Sequence, residues 1–284
     1  MRETRWALAL LVVVSLFTLT CGRERTKEVL IDGFLFKEAY TGDPISYDRW
    51  IEAYDKDGLP QIPTATMNGR QLEMISWNPI HALYEDTLGF KTDTNYDVEV
   101  EHYWGRATVR IAMPADFRIT SPAPSFVLDP DLALPVVWQK SRGSTWYWLA
   151  LYLGYDFIDT LSETLHVELA HDTILSDTVC TYEAHRFFSS LVRQVLGGDG
   201  EAVIWAAAGP QTNPGATSNV QGHGYGYVSA ANQPPEAGFL VGRPPASRLD
   251  RTELVRNRKD GFVRRLRQMT GITDTLRLPG PHRP

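Results

Sequence analysis

The sequence predicts a mainly β protein of two tandem antiparallel β-sandwich domains, 29–119 and 120–242, the second with one short α-helix at about 181–196. Three observations carry this reading. Short apolar runs recur between turn residues from Val29 to Val241. Apolar and polar residues alternate at period two from Tyr96 to Met113, and a strand is the backbone that sends successive side chains to opposite faces. A proline-rich stretch, Thr120-Ser121-Pro122-Ala123-Pro124, divides two regions of the same texture and reads as their boundary.

In chain order, the first element is an export signal over residues 1–20. Arg2 and Arg5 precede an uncharged apolar run, Trp6–Leu19, that leads into Cys21-Gly22. That is the charged, apolar, small-residue order of a secretory signal. As a helix the run extends about 21 Å at about 1.5 Å per residue, short of a hydrocarbon core of about 30 Å, so a permanent span is disfavoured. The segment resembles a bacterial lipoprotein signal, in which the thiol after the cleavage point receives the lipid. This resemblance implies lipidation at Cys21; the sequence departs from the family pattern at Thr18 and Thr20, which leaves ordinary signal cleavage, giving a soluble protein, as the alternative. The other cysteine is Cys180. With Cys21 acylated an intramolecular disulfide is excluded, and the fold rests on its hydrophobic core. Residues 21–28 form a charged, apolar-poor tether after the lipidation site.

Val29–Phe36 is the first strand. Ala65-Thr66-Met67, Asn68-Gly69 and Leu72–Ile75 form a hairpin, because Asn-Gly supplies the two positive φ angles of a tight type I′ turn. Tyr96, Val98 and Val100 alternate with Asp97, Glu99 and Glu101. After Trp104-Gly105-Arg106, Ala107, Val109, Ile111 and Met113 continue the pattern, which defines a half-buried hairpin ended by Pro114. Past the proline break, strands are expected at Phe126–Leu128, Leu134–Trp138, Trp146–Tyr155, His166–Leu169, Ile174–Cys180, Ala202–Ala208, Gly224–Ala230 and Phe239–Val241. Between them, Phe188, Leu191, Val192, Val195 and Leu196 recur at three-and-four spacing before Gly197-Gly198, which predicts the helix. Residues 243–284 form a basic, proline-ended tail, partly disordered, with a frayed helix at Asp250–Met269.

The run Ser121–Tyr155 resembles the start of an immunoglobulin or fibronectin type III-like domain: a proline opening, a strand, a turn, a strand with Trp138, then an aromatic strand at Tyr147–Tyr152. The resemblance implies a core tryptophan facing an aromatic neighbour strand; no disulfide is implied. The order of lipid signal, β-rich halves, aromatic segment Tyr182–Gln194 and Asn/Gly-rich Asn213–Ala230 is similar to uncharacterised bacterial cell-envelope lipoproteins. That resemblance implies an envelope location and carries no catalytic residue.

Chemistry-bearing clusters are sparse. His166 and Glu168 share a strand face and His171 points to the other, too few ligands on one side for a tetrahedral metal site. Gly222–Tyr227 reads as a glycine-bearing strand, since a dinucleotide loop must open a helix. Asp55-Lys56-Asp57-Gly58 and Asp129-Pro130-Asp131 read as turns, since Leu59-Pro60 interrupts a calcium loop. No catalytic motif and no cofactor or metal site is expected. The formal charge of −6 gives no support for a nucleic-acid partner. Trp146 and Trp148 share one strand face and are the candidate ligand-contact aromatics. Arg248, Arg251, Arg256, Arg258, Lys259, Arg264, Arg265 and Arg267 form a basic cluster that reads first as a solvated, mobile tail and second as a patch for anionic lipid headgroups. The expected function is a non-enzymatic, exported envelope lipoprotein, held at the membrane through Cys21 and supporting or binding an envelope protein or glycan. The alternatives are a secreted hydrolase of glycans or peptides with loop carboxylates, and a carbohydrate-binding module.

Overall fold

The computed structural model describes residues 28–85, 89, 91–210 and 217–242. The predicted signal, Cys21 and the tail 243–284 lie outside the described residues. The protein is mainly β, and its one helical element among them is a 3-10 turn at Ala184–Arg186. The first six strands are Val29–Glu38 (β1), Ser46–Tyr54 (β2), Thr64–Met67 (β3), Arg70–Gln71 (β4), Glu73–Asn78 (β5) and His81–Glu85 (β6). Thr94–His102 (β7), Gly105–Met113 (β8), Ile119–Ser121 (β9), Val127–Leu128 (β10) and Leu134–Trp138 (β11) follow. The remainder are Trp146–Asp159 (β12), Thr164–Leu175 (β13), Val179–Tyr182 (β14), Val192–Ala208 (β15), Gln221–Gly222 (β16), Gly224–Gln233 (β17) and Ala237–Val241 (β18).

Three sheets result. The main sheet runs β10-β18-β15-β17-β1-β2-β6-β5, with β12 paired to β15 and β13 to β12. A five-stranded sheet, β16-β8-β7-β3-β4, and a three-stranded sheet, β14-β11-β9, complete the molecule. Both small sheets pack on the same face of the main one. Val29, Ile31, Leu35, Ile51, Val228 and their neighbours form a core with Val98, Val100, Val109 and Ile111 of the five-stranded sheet. Tyr147, Leu149, Leu151, Ile204 and Phe239 form a second core with Leu134, Val136 and Trp138 of the three-stranded sheet.

The β7–β8 hairpin and the Asn68-Gly69 turn are present, but the strand returning from that turn is Arg70–Gln71 and not the expected Leu72–Ile75, whose residues from Glu73 onward belong to β5 and pair with β6 in the main sheet. Asn68 and Gly69 take φ of 49° and 75°, the two positive values the turn requires, while β3 pairs with β4. In β7 and β8 the alternation maps onto burial, with Tyr96, Val98, Val100, Ala107, Val109, Ile111 and Met113 inside. Trp138 meets Tyr147 edge-on, with ring centroids 5.4 Å apart.

The division at 119/120 is not followed by the hydrogen bonds. β1 lies parallel to β17, from Val29 beside Gly224 to Glu38 beside Gln233, so strands from both expected regions share the main sheet. Burial explains this: β1 is buried along almost its whole length and needs a neighbour on each side. The Asn232 amide adds to the join by donating to the carbonyl oxygen of Ala115 at 2.9 Å. Lys37 pairs with Asp116. The proline break is also not a free linker, because Ile119–Ser121 pairs with β11.

The expected helix at about 181–196 is corrected. Tyr182 ends β14, a 3-10 turn follows, and Val192 begins the longest strand. The three-and-four spacing misleads because its members serve different roles. Phe188 is buried beside Phe187 in the second core, Leu191 is 59% exposed, and Val195 lies in β15 opposite Phe157. Gly197-Gly198 is no helix cap: Gly198 lies so close to the Gly154 carbonyl that a Cβ has no room. The strands expected at His166–Leu169 and Ile174–Cys180 are instead the continuous β13 and the separate β14.

Gly226, at φ 134°, sits where a Cβ would strike the Ile31 carbonyl across the β1–β17 pair. Gly226→Ala is expected to destabilise the protein by about 1–3 kcal/mol through overpacking and backbone strain. Urea denaturation of the purified variant checks this, and an unchanged midpoint contradicts the close approach.

A candidate binding face on the main sheet

The face of the main sheet turned away from both cores carries a third buried cluster: Phe34, Phe36, Trp146, Trp148, Ala150, Val203, Trp205, Ala207 and Ala231. Strand register places these side chains together. Phe34 lies opposite Trp50, Trp148 opposite both Trp205 and Ile174, and Ala207 opposite both Trp146 and Ala231. The Trp148 and Trp205 rings are 4.5 Å apart and tilted, and Phe34 stacks on Phe36 at 3.9 Å. The Trp148 indole N–H donates to Asp172 Oδ2 at 3.0 Å.

Carboxylates flank this aromatic centre. On one side Asp32 sits opposite Glu52, with Glu38 and Asp48 on the same face of β1 and β2. On the other side Glu201 is opposite Tyr152, Asp199 opposite Gly154 and Asp172 opposite Ala150. Asp32, Glu38 and Glu201 are buried. Across β1, β2, β17, β12 and the Asp199–Ala207 part of β15, no lysine or arginine holds a register position on this face. The basic residues of β1 and β2 point the other way: Lys37 to Asp116, and Arg49, whose Nη1 lies 3.5 Å from the Met67 sulfur. Like charges directly opposite on adjacent strands repel.

Trp146 and Trp148, the possible contact aromatics, are core residues here. They are 0% and 3% exposed, within the cluster, because their shared face of β12 is packed instead of open. His166 Nδ1 lies 2.7 Å from Asp156 Oδ1 and Nε2 lies 3.7 Å from Glu168. His171 points to the opposite side, near Phe187. Among the described residues no group of three or more His, Cys, Asp or Glu is arranged to hold a metal ion. Asp55 Oδ1 accepts the Asp57 N–H at 2.9 Å in a turn completed by Gly58, and Leu132 N–H closes the turn on the Asp129 carbonyl. Gln221–Gly222 and Gly224–Gln233 are strands, so the glycine run opens no helix. Burial pushes the Cys180 thiol up, which lowers its thiolate content. Burial likewise pushes the Tyr155 hydroxyl up to about 12 while it donates to the Phe187 carbonyl at 2.7 Å.

The acidic face is absent from the sequence-based expectations. Its signal is the period-two series Asp32, Phe34, Phe36, Glu38 and Asp48, Trp50, Glu52, with Asp199, Glu201, Val203, Trp205 in β15.

No family model matches the chain, and no curated protein matches it. Among solved structures it is similar to the fibronectin(III)-like modules of Clostridium thermocellum CbhA, at 11% identity over 70% of this chain and 88% of that chain, with a TM-score of 0.25. The likeness to fibronectin type III-like modules is distant and concerns the fold alone.

Two buried histidines give the molecule an acid limit. Burial lowers the pKa of His81, which lies 4.0 Å from Glu52, and also that of His102, near His223 and Asp55. A depressed folded-state pKa means that their contribution is complete above the ordinary value of 6.5 and is lost as pH falls below it toward the lowered folded values. The urea midpoint is expected to fall between about pH 7 and about pH 5, and less steeply in His102→Gln. Equal slopes for the two proteins contradict the assignment to His102.

Proposed function

We propose that the chain is a non-enzymatic lipoprotein of the bacterial cell envelope, lipid-anchored at Cys21, that binds or supports a partner through the acidic, aromatic face of its main sheet. The observation that carries the reading is the pairing of two features: a thiol directly after a short apolar leader, and a sheet face whose charge is of one sign around buried aromatics. The first gives an address outside the cytoplasm. The second suits a protein or peptide bearing cationic side chains, since complementary charge steers encounter. In this reading the two cores on one sheet are two immunoglobulin-like sandwiches that have merged along their shared layer.

Metabolic labelling with palmitate tests the anchor. The wild type is expected to incorporate label and fractionate with membranes, whereas Cys21→Ala loses both. Equal incorporation in the variant, or none in the wild type, removes lipidation from the account.

A further inference from the structure

The main sheet ends on one side at β5, which pairs with β6 and with no further strand among the described residues. All six residues of β5 are exposed. Three of them are large and apolar: Met74, Ile75 and Trp77 are 42%, 47% and 43% exposed, and Ile80, in the turn to β6, is 37% exposed. Register sets Met74 opposite Tyr84 and Trp77 opposite Ala82, so both carry the core face of β6 out to the rim of the sheet. A strand edge offers its outward N–H and C=O groups to any strand that comes alongside, and natural sheets guard such edges with charge, proline, bulges or brevity. The other edges of the main sheet are guarded in this way. β13 carries His166, Glu168, His171 and Asp172, and β10 is two residues long. β5 is guarded more lightly, by a bulge between Met74 and Ser76 and by one charge, Glu73, at its first position.

We infer that β5 is the contact edge of a two-fold dimer, in which it pairs antiparallel with β5 of a second copy and joins two main sheets into one. Charge selects the occupant and its direction. An antiparallel pair about an axis between Ile75 and Ser76 sets Glu73 across from Asn78 of the partner subunit and Met74 across from Trp77 of the partner subunit. The two Glu73 carboxylates then stand at opposite ends of the ladder, about 17 Å apart at about 3.4 Å per residue. A parallel, in-register pair would set the same carboxylates side by side, where like charges repel. The antiparallel pair also brings thioether against indole at the rim and gives the outward backbone groups of both strands their partners. Such a contact closes on itself, which spares an apolar edge from open-ended association. A six-residue edge buries less than the about 1,200 Å² at the lower limit of standard interfaces, so the expected dimer is weak, with a dissociation constant of about 10 µM or higher.

Sedimentation velocity of the full mature chain, carrying Cys21→Ala so that no lipid drives association, tests this. The chain is expected to be monomeric at about 1 µM and to convert to a dimer toward about 300 µM. Trp77→Lys and Ile75→Lys are each expected to weaken the dimer at least about tenfold, since a lysine on an edge strand opposes pairing. Hydrogen exchange of the unsubstituted edge supplies a second measurement that needs no variant to fold. Amides within Glu73–Asn78 are expected to exchange more slowly at the high concentration than at the low one, while those of β13 exchange alike at both. A chain that stays monomeric throughout the range overturns the proposal. So does a dimer that both lysine variants leave unchanged, a dimer whose β5 amides exchange at the monomer's rate, or assembly that continues past the dimer.

Discussion

A sheet with apolar side chains on both faces must be covered twice, and the main sheet of this protein is such a sheet. Its inward face is divided between two smaller sheets, each sealing one core. Its outward face carries a third apolar cluster, ringed by carboxylates. Burial of apolar area is the largest favourable term in folding, so a layer that serves three clusters sets the terms for every strand that joins it. The glycines at 198 and 226 follow from this demand: each lets backbone approach backbone where a methyl group has no room.

Two strands hold the arrangement together. β1 has β2 antiparallel on one side and β17 parallel on the other, which joins the beginning of the described chain to a segment almost two hundred residues later. β15, seventeen residues long, pairs with β12 along most of its length and with β17 and β18 along its other edge. The halves are therefore connected through backbone hydrogen bonds within one layer, unlike domains joined by a linker. Side chains reinforce the join: Asn232 reaches the Pro114–Asp116 connector, and Gln233 donates to the Ala39 carbonyl.

The legible parts of the fold are those fixed by local pattern. Asn68-Gly69 dictates its turn, and the alternation in β7 and β8 names the buried residues one by one. Trp146–Tyr155 reads as a strand because an uninterrupted apolar run with aromatic residues suits burial on both faces. Ser46–Tyr54 escapes notice because Asp48, Arg49 and Glu52 hide a strand whose charged residues are all used: Arg49 beneath the five-stranded sheet, the carboxylates on the reverse face. The parallel pairing of β1 with β17 has no local signature, and so a sequence boundary at Thr120–Pro124 does not reveal the shared layer. Helical spacing in Phe188–Leu196 is a coincidence between one core phenylalanine, an exposed leucine and the start of β15. The candidate face is illegible for a related reason, since its acids come from strands far apart in the chain and become neighbours only through register.

Hydrogen exchange across a urea series tests the shared layer most directly, by following amides of β7 and β8 in the first core together with those of β11 and β12 in the second. If one sheet couples both cores, their slowest amides lose protection together, with the same free energy and the same denaturant dependence. Separate protection losses for the two groups, with one core intact while the other exchanges, would contradict the shared sheet as the element that unites the fold.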